Sequence, residues 1–223
     1  MQKNDNYSFS SARKGRILFS IGFTFVLPIC ILLFPILTVI FNFLYFPFTL
    51  IHELGHLLVI TLFLPTLEPQ LEFHLLDGEF CCACMIDDEF PLCWQTIIAM
   101  LAGSFSVMIF VILSILSLYR MKSRIHYEAG KYYLIFGLFA DLPNLLPILP
   151  TSLGHITDGF AISTCLYQMG YMLPISSMLS NIFSLFSIVM ILTSFFFLGS
   201  FLYNLGEFTY IKFGKDGREK PVS

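Results

Sequence analysis

The sequence predicts an all-α polytopic membrane protein of about five to six transmembrane helices with a small β-hairpin insert, and three observations carry that prediction. Of 223 residues, 57% are hydrophobic and only 12% charged, with a mean hydropathy of +0.80. A soluble domain carries roughly twice that charge. Apolar runs recur along the chain at lengths that match a bilayer core, which needs about 20 helical residues per crossing. One segment, residues 65–91, breaks the pattern with Glu68, Glu72, Asp77, Glu79, Asp87, Asp88 and Glu89. It places Asp77-Gly78 between two alternating stretches, the strongest short signal for a hairpin.

Residues 1–16 hold Lys3, Arg13, Lys14 and Arg16 and read as a cytoplasmic N-terminal tail. The apolar run that follows is too long for a signal-peptide core and is followed by no small-residue cleavage site. Residues 17–42 are therefore expected to form a retained, extra first transmembrane helix. Asn42 and Pro47 are expected to turn the chain into a second helix over residues 48–64, about 25 Å long. In the hairpin, a two-residue turn pairs His74 with Cys81 and Phe73 with Cys82, which gathers Leu71, Phe73, Phe80 and Cys82 on one face.

A third span is expected at 94–119, where Ala102-Gly103-Ser104 is a small-residue patch suited to close helix packing. Arg120, Lys122, Arg124 and Lys131 then make a basic loop. The next apolar run, 132–150, is interrupted by Pro143, Pro147 and Pro150, too many for a regular helix. Irregular backbone at membrane depth is tolerated only where it is buried in protein or lines a cavity. A shorter stretch at 160–173 reads as helical. Residues 173–205 hold a C-terminal transmembrane helix, and 206–223 a polar tail. Orientation is contested within the sequence. Two crossings from a cytoplasmic start put the acidic hairpin inside and the loop at 120–131 outside, whereas the positive-inside rule prefers that loop inside.

Net charge is −3 and the pI about 5.9, so no basic surface for nucleic acid exists and none is expected as a partner. Six cysteines, with Cys30 and Cys165 in apolar runs, form no disulfide framework. A second, structural zinc site from Cys81, Cys82, Cys84 and Cys93 is disfavoured, because strand alternation points Cys81 away from Cys82 and Cys84.

From residue 17 to residue 67 the only charged side chain is Glu53, within His52-Glu53-Leu54-Gly55-His56. On a helix this spacing puts both imidazoles on one face, a turn apart, with the carboxylate adjacent. Three ionisable groups in lipid are costly without a cation. The pattern binds zinc and sets a base beside it. A catalytic zinc takes three protein ligands and an open position, so a third ligand must come from elsewhere, with Asp141, His155 and Asp158 as candidates.

His52-Glu53-x-x-His56, then Asn144-Leu145-Leu146-Pro147 and Asp158-Gly159, resembles the site-2 protease family of intramembrane zinc metalloproteases, which cut transmembrane segments of substrate proteins. The resemblance implies a three-helix catalytic core within residues 43–172, with the hairpin insert at 65–91. It implies His52, His56 and Asp158 as ligands of Zn2+, Glu53 as the catalytic base, and Asn144 as a substrate-binding residue for the backbone or the oxyanion. Gly103 resembles the small glycine motif of the middle core helix. Residues 148–157 make a longer connection between Asn144 and Asp158 than the family's compact pattern. The partners implied are a transmembrane protein substrate and the lipid bilayer; nothing in the sequence states an oligomeric state. The rival reading is a metal-binding but non-proteolytic membrane protein, a scaffold or transport partner, for which Glu53 has no use. A bacterial cytoplasmic membrane is the expected location.

Overall fold

A computed structural model describes residues 4–33, 35–74, 81–85, 92–120, 124–146, 158–171 and 177–216. Six α-helices and one hairpin occupy them: α1 (Asn4–Leu33), α2 (Pro35–Phe63), β1 (Gln70–His74), β2 (Cys81–Met85), α3 (Cys93–Leu118), α4 (Arg124–Asp141), α5 (Asp158–Gln168) and α6 (Ser177–Asp216). Short 3-10 turns follow α2 at Pro65–Leu67 and α4 at Leu142–Leu145. Among the described residues, four helices contain stretches long and apolar enough to cross a membrane: Arg13–Ile31, Val39–Phe63, Cys93–Leu118 and Asn181–Glu207. Helix α4 opens with Arg124, Glu128 and Lys131 and is less apolar, and α5 has only 11 residues. The molecule is thus a largely helical membrane protein. Leu18, Leu33, Leu62, Leu113 and Phe186 are each more than half exposed, as suits side chains solvated by acyl chains.

The first helical break falls between Leu33 and Pro35, earlier than the expected turn at Asn42–Pro47. Proline is tolerated in the first helical turn because its missing N–H would be unpaired there anyway. Pro47 instead lies inside α2. The Tyr133 hydroxyl donates to the Leu44 carbonyl at 2.7 Å and so ties α4 to the α2 backbone just before the proline. Two further boundaries differ: the second half of the expected basic loop is the start of α4, and α6 runs on into the polar tail as far as Asp216.

β1 and β2 pair antiparallel, with His74 opposite Cys81, Phe73 opposite Cys82, Glu72 opposite Ala83, Leu71 opposite Cys84 and Gln70 opposite Met85. This is the register that a two-residue Asp77-Gly78 turn requires; the turn itself lies outside the described residues.

Helices α2 and α3 run antiparallel in close contact, made possible by Gly55. A Cβ there would sit 2.5 Å from the Ala102 carbonyl oxygen. The core lies beside this pair, where Phe48, Val107, Val111, Leu134, Phe136 and Leu198 are all buried. Phe48 meets Phe136 edge-on at 6.2 Å and fills the space that a side chain on Gly137 would need. Helix α1 packs on α6 through a buried Ser20–Ser200 hydroxyl pair at 2.8 Å.

At one end of the bundle Arg16 Nη1 lies 3.7 Å from Glu128 Oε2, and its guanidinium stacks 4.8 Å above Tyr132. Lys131 donates to Glu128 Oε2 at 2.9 Å. Arg16, in the first half of α1, therefore lies beside the start of α4, with Arg120 just past α3, while the acidic hairpin precedes α3 at its other end.

Candidate metal centre

The site is built from the second half of α2 outward. His52 and His56, one turn apart, are only 5% and 6% exposed. Their Nε2 atoms face each other at 2.9 Å. Glu53 is half-buried beside them, and the ligand-type atoms of the three side chains lie within 4.8 Å of one another. Asp158, the first residue of α5, brings Oδ2 to 3.0 Å from His52 Nε2 and 3.5 Å from His56 Nε2. Its neighbour Gly159 lets α5 come this close, because a side chain at that position would overlap the Leu145 carbonyl. The floor of the site is Gly103 of α3, where an added Cβ would stand 2.6 Å from both Nε2 atoms.

Proton positions follow from the partners. His56 Nδ1 is 2.7 Å from the Ala99 carbonyl oxygen, which can only accept, so Nδ1 carries the hydrogen and Nε2 a lone pair. His52 Nδ1 lies 2.9 Å from Asp141 Oδ1 along a bent N–H···O line. A carboxylate there favours hydrogen on Nδ1, which again leaves Nε2 as an acceptor. Asp158 Oδ2 is buried with no hydrogen-bond partner among the described residues. With both rings neutral and protonated on Nδ1, three acceptor atoms converge here. A shared proton satisfies one pair of them; a metal ion satisfies all three. His52, Glu53 and His56 bring two imidazoles and a carboxylate close enough together to hold a metal ion, a donor set that fits one.

The sequence-predicted residues divide as follows. His52, Glu53, His56 and Asp158 come together. Asp141, considered as a third ligand, stands one layer out, against the far nitrogen of His52. Asn144 is beside it, with Nδ2 3.4 Å from Asp141 Oδ1. His155 lies outside the described residues. Two contributors escape a sequence reading. Tyr45, two turns before His52, donates its hydroxyl to Asp141 at 3.3 Å. Ala99 acts only through its carbonyl, which leaves no mark in the sequence. Cys93 donates to Gln168 Oε1 at 3.0 Å. Among the described residues the histidine group is the only metal-competent cluster found.

Comparison with protein-family models, with curated proteins and with solved structures returns no match to this chain.

Proposed function

We propose that this chain is an intramembrane zinc metalloprotease of the site-2 type, hydrolysing peptide bonds in or near transmembrane segments of other membrane proteins. One observation carries the reading: His52 Nε2, His56 Nε2 and Asp158 Oδ2 converge beside Glu53 inside an apolar helix pair. A site that only bound metal would have no use for a carboxylate base next to it.

His52, His56 and Asp158 would hold zinc, and the catalytic core would be α2, α3 and α5. Zinc held there supplies Lewis acidity, which polarises a peptide carbonyl and acidifies a water. Glu53 takes the proton of the attacking water on its carboxylate and passes it to the departing amine. Gly103 keeps the imidazoles seated, and the buried surroundings exclude bulk water. Asn144 steadies the substrate backbone near the carbonyl under attack. A substrate helix unwinds to reach the site, and the extended segment pairs with an edge of the β1–β2 hairpin, as peptides add to exposed sheet edges. The protein resides in the bacterial cytoplasmic membrane.

The test uses the protein reconstituted in lipid vesicles with a panel of quenched-fluorescent transmembrane peptides. Wild type cleaves at least one, chelation stops it, and Glu53→Gln keeps its zinc but does not cleave. Zinc binding without cleavage of any peptide would favour the scaffold or transport-partner reading.

A further inference from the structure

We infer that Asp141 is a positioning residue for the metal centre: its carboxylate orients His52 through Nδ1. The inference rests on the metal reading above and deepens it.

Asp141 is only 1% exposed, at the C-terminal end of α4. That position opposes a carboxylate, because the helix end already carries partial negative charge. The residue does not act as a cap either, since its side chain makes no capping bond to the 3-10 turn that follows. Its contacts point to the site instead. Three groups converge on the one atom Oδ1, two from α2 and one from the 3-10 turn that follows α4: His52 Nδ1 at 2.9 Å, Tyr45 Oη at 3.3 Å and Asn144 Nδ2 at 3.4 Å. A buried carboxylate this heavily tethered is held in place for a purpose, and the nearest group is a ligand nitrogen's own ring.

Metal-binding histidines usually donate their other N–H to a carboxylate or carbonyl, which fixes the tautomer and strengthens the bond to the metal. Here the two histidines are served differently. His56 has the neutral Ala99 carbonyl, and His52 has the charged Asp141. Tyr45 and Asn144 are then the pins that keep Oδ1 aimed at His52.

The experiment measures Zn2+ and Co2+ affinity by chelator competition on the full chain in lipid nanodiscs, together with the visible spectrum of the cobalt form. Wild type, Asp141→Asn and a Tyr45→Phe/Asn144→Ala double variant are compared. Asp141→Asn is expected to bind about 10–100-fold more weakly, with the stoichiometry at saturation unchanged and the cobalt bands shifted. The double variant moves the same way by a smaller factor, and it carries the test if Asp141→Asn does not fold. Wild-type affinity and unshifted bands in the folded variants would overturn the inference while leaving the metal reading intact. Loss of stoichiometry at saturation would also overturn it, by making Asp141 a ligand. Absence of metal from wild type would overturn the reading beneath it.

Discussion

Gly103→Ala is the sharpest perturbation the site allows, since it adds one methyl group to the floor under both imidazoles. The new Cβ would stand 2.6 Å from His52 Nε2, 2.6 Å from His56 Nε2 and 2.7 Å from His52 Cε1. Ordinary van der Waals contact begins near 3.4 Å, so both rings must retreat by about 0.8 Å. His56 has little room to do so, being held by the Ala99 carbonyl at 2.7 Å, and His52 backs onto Asp141 at 2.9 Å. Metal–ligand distances tolerate only about 0.2 Å. The expected outcome is a zinc affinity at least about 100-fold lower, by the same reasoning that makes a misplacement of about 1 Å cost that factor in catalysis. Overpacking should also lower stability by about 1–3 kcal/mol. The assay is zinc titration on purified protein alongside its thermal unfolding in detergent. Gly22→Ala serves as the control, since a Cβ there meets nothing within 4 Å. Wild-type zinc affinity and melting temperature in Gly103→Ala would refute the close-packed floor on which the site depends.

Other perturbations give equally definite outcomes. Glu53→Gln retains full zinc content while peptide cleavage falls by about 10²–10⁴-fold, as loss of a general base predicts, read by single-turnover cleavage in vesicles. Phe48→Ala opens a void against Phe136 and Gly137 and destabilises the bundle by about 2 kcal/mol, the cavity part of the usual cost, because lipid offers no water-transfer gain; equilibrium unfolding in mixed micelles reads it. Arg120, Arg124 and Lys131 follow α3 and open α4, a basic stretch that the positive-inside rule assigns to the cytoplasm. In a cysteine-free background, Glu72→Cys should therefore react with an impermeant maleimide in intact cells and Arg120→Cys only after lysis. The reverse pattern would invert the orientation.

What the sequence disclosed follows from the range of the forces involved. The hairpin register was legible because Asp77-Gly78 and strand alternation fix it locally, and the observed pairing of His74 with Cys81 agrees. The third span, expected at 94–119, forms at Cys93–Leu118, and its small-residue patch meets α2 where Gly55 allows it. The boundary between the first two helices falls earlier than the Asn42–Pro47 turn the sequence suggests, because Pro47 lies inside α2, where the sequence alone reads it as a breaker. The histidine pair is a local pattern and is legible directly in the sequence. From sequence Asp141 reads as a candidate ligand or, better, as a residue ordering the unwound backbone around Pro143, because its partners are set by tertiary packing: Tyr45 and His52 reach it from α2. Nothing at sequence level announces that α4 ends beside α2 rather than α5.

The zinc content of detergent-purified wild type, His56→Ala and Asp158→Ala tests the central claim most directly. The account predicts about one zinc per chain in wild type and none in either variant, because three protein ligands hold a catalytic zinc. A wild type that purifies without zinc and does not take it up, or an Asp158→Ala variant that keeps it, would contradict the three-ligand site.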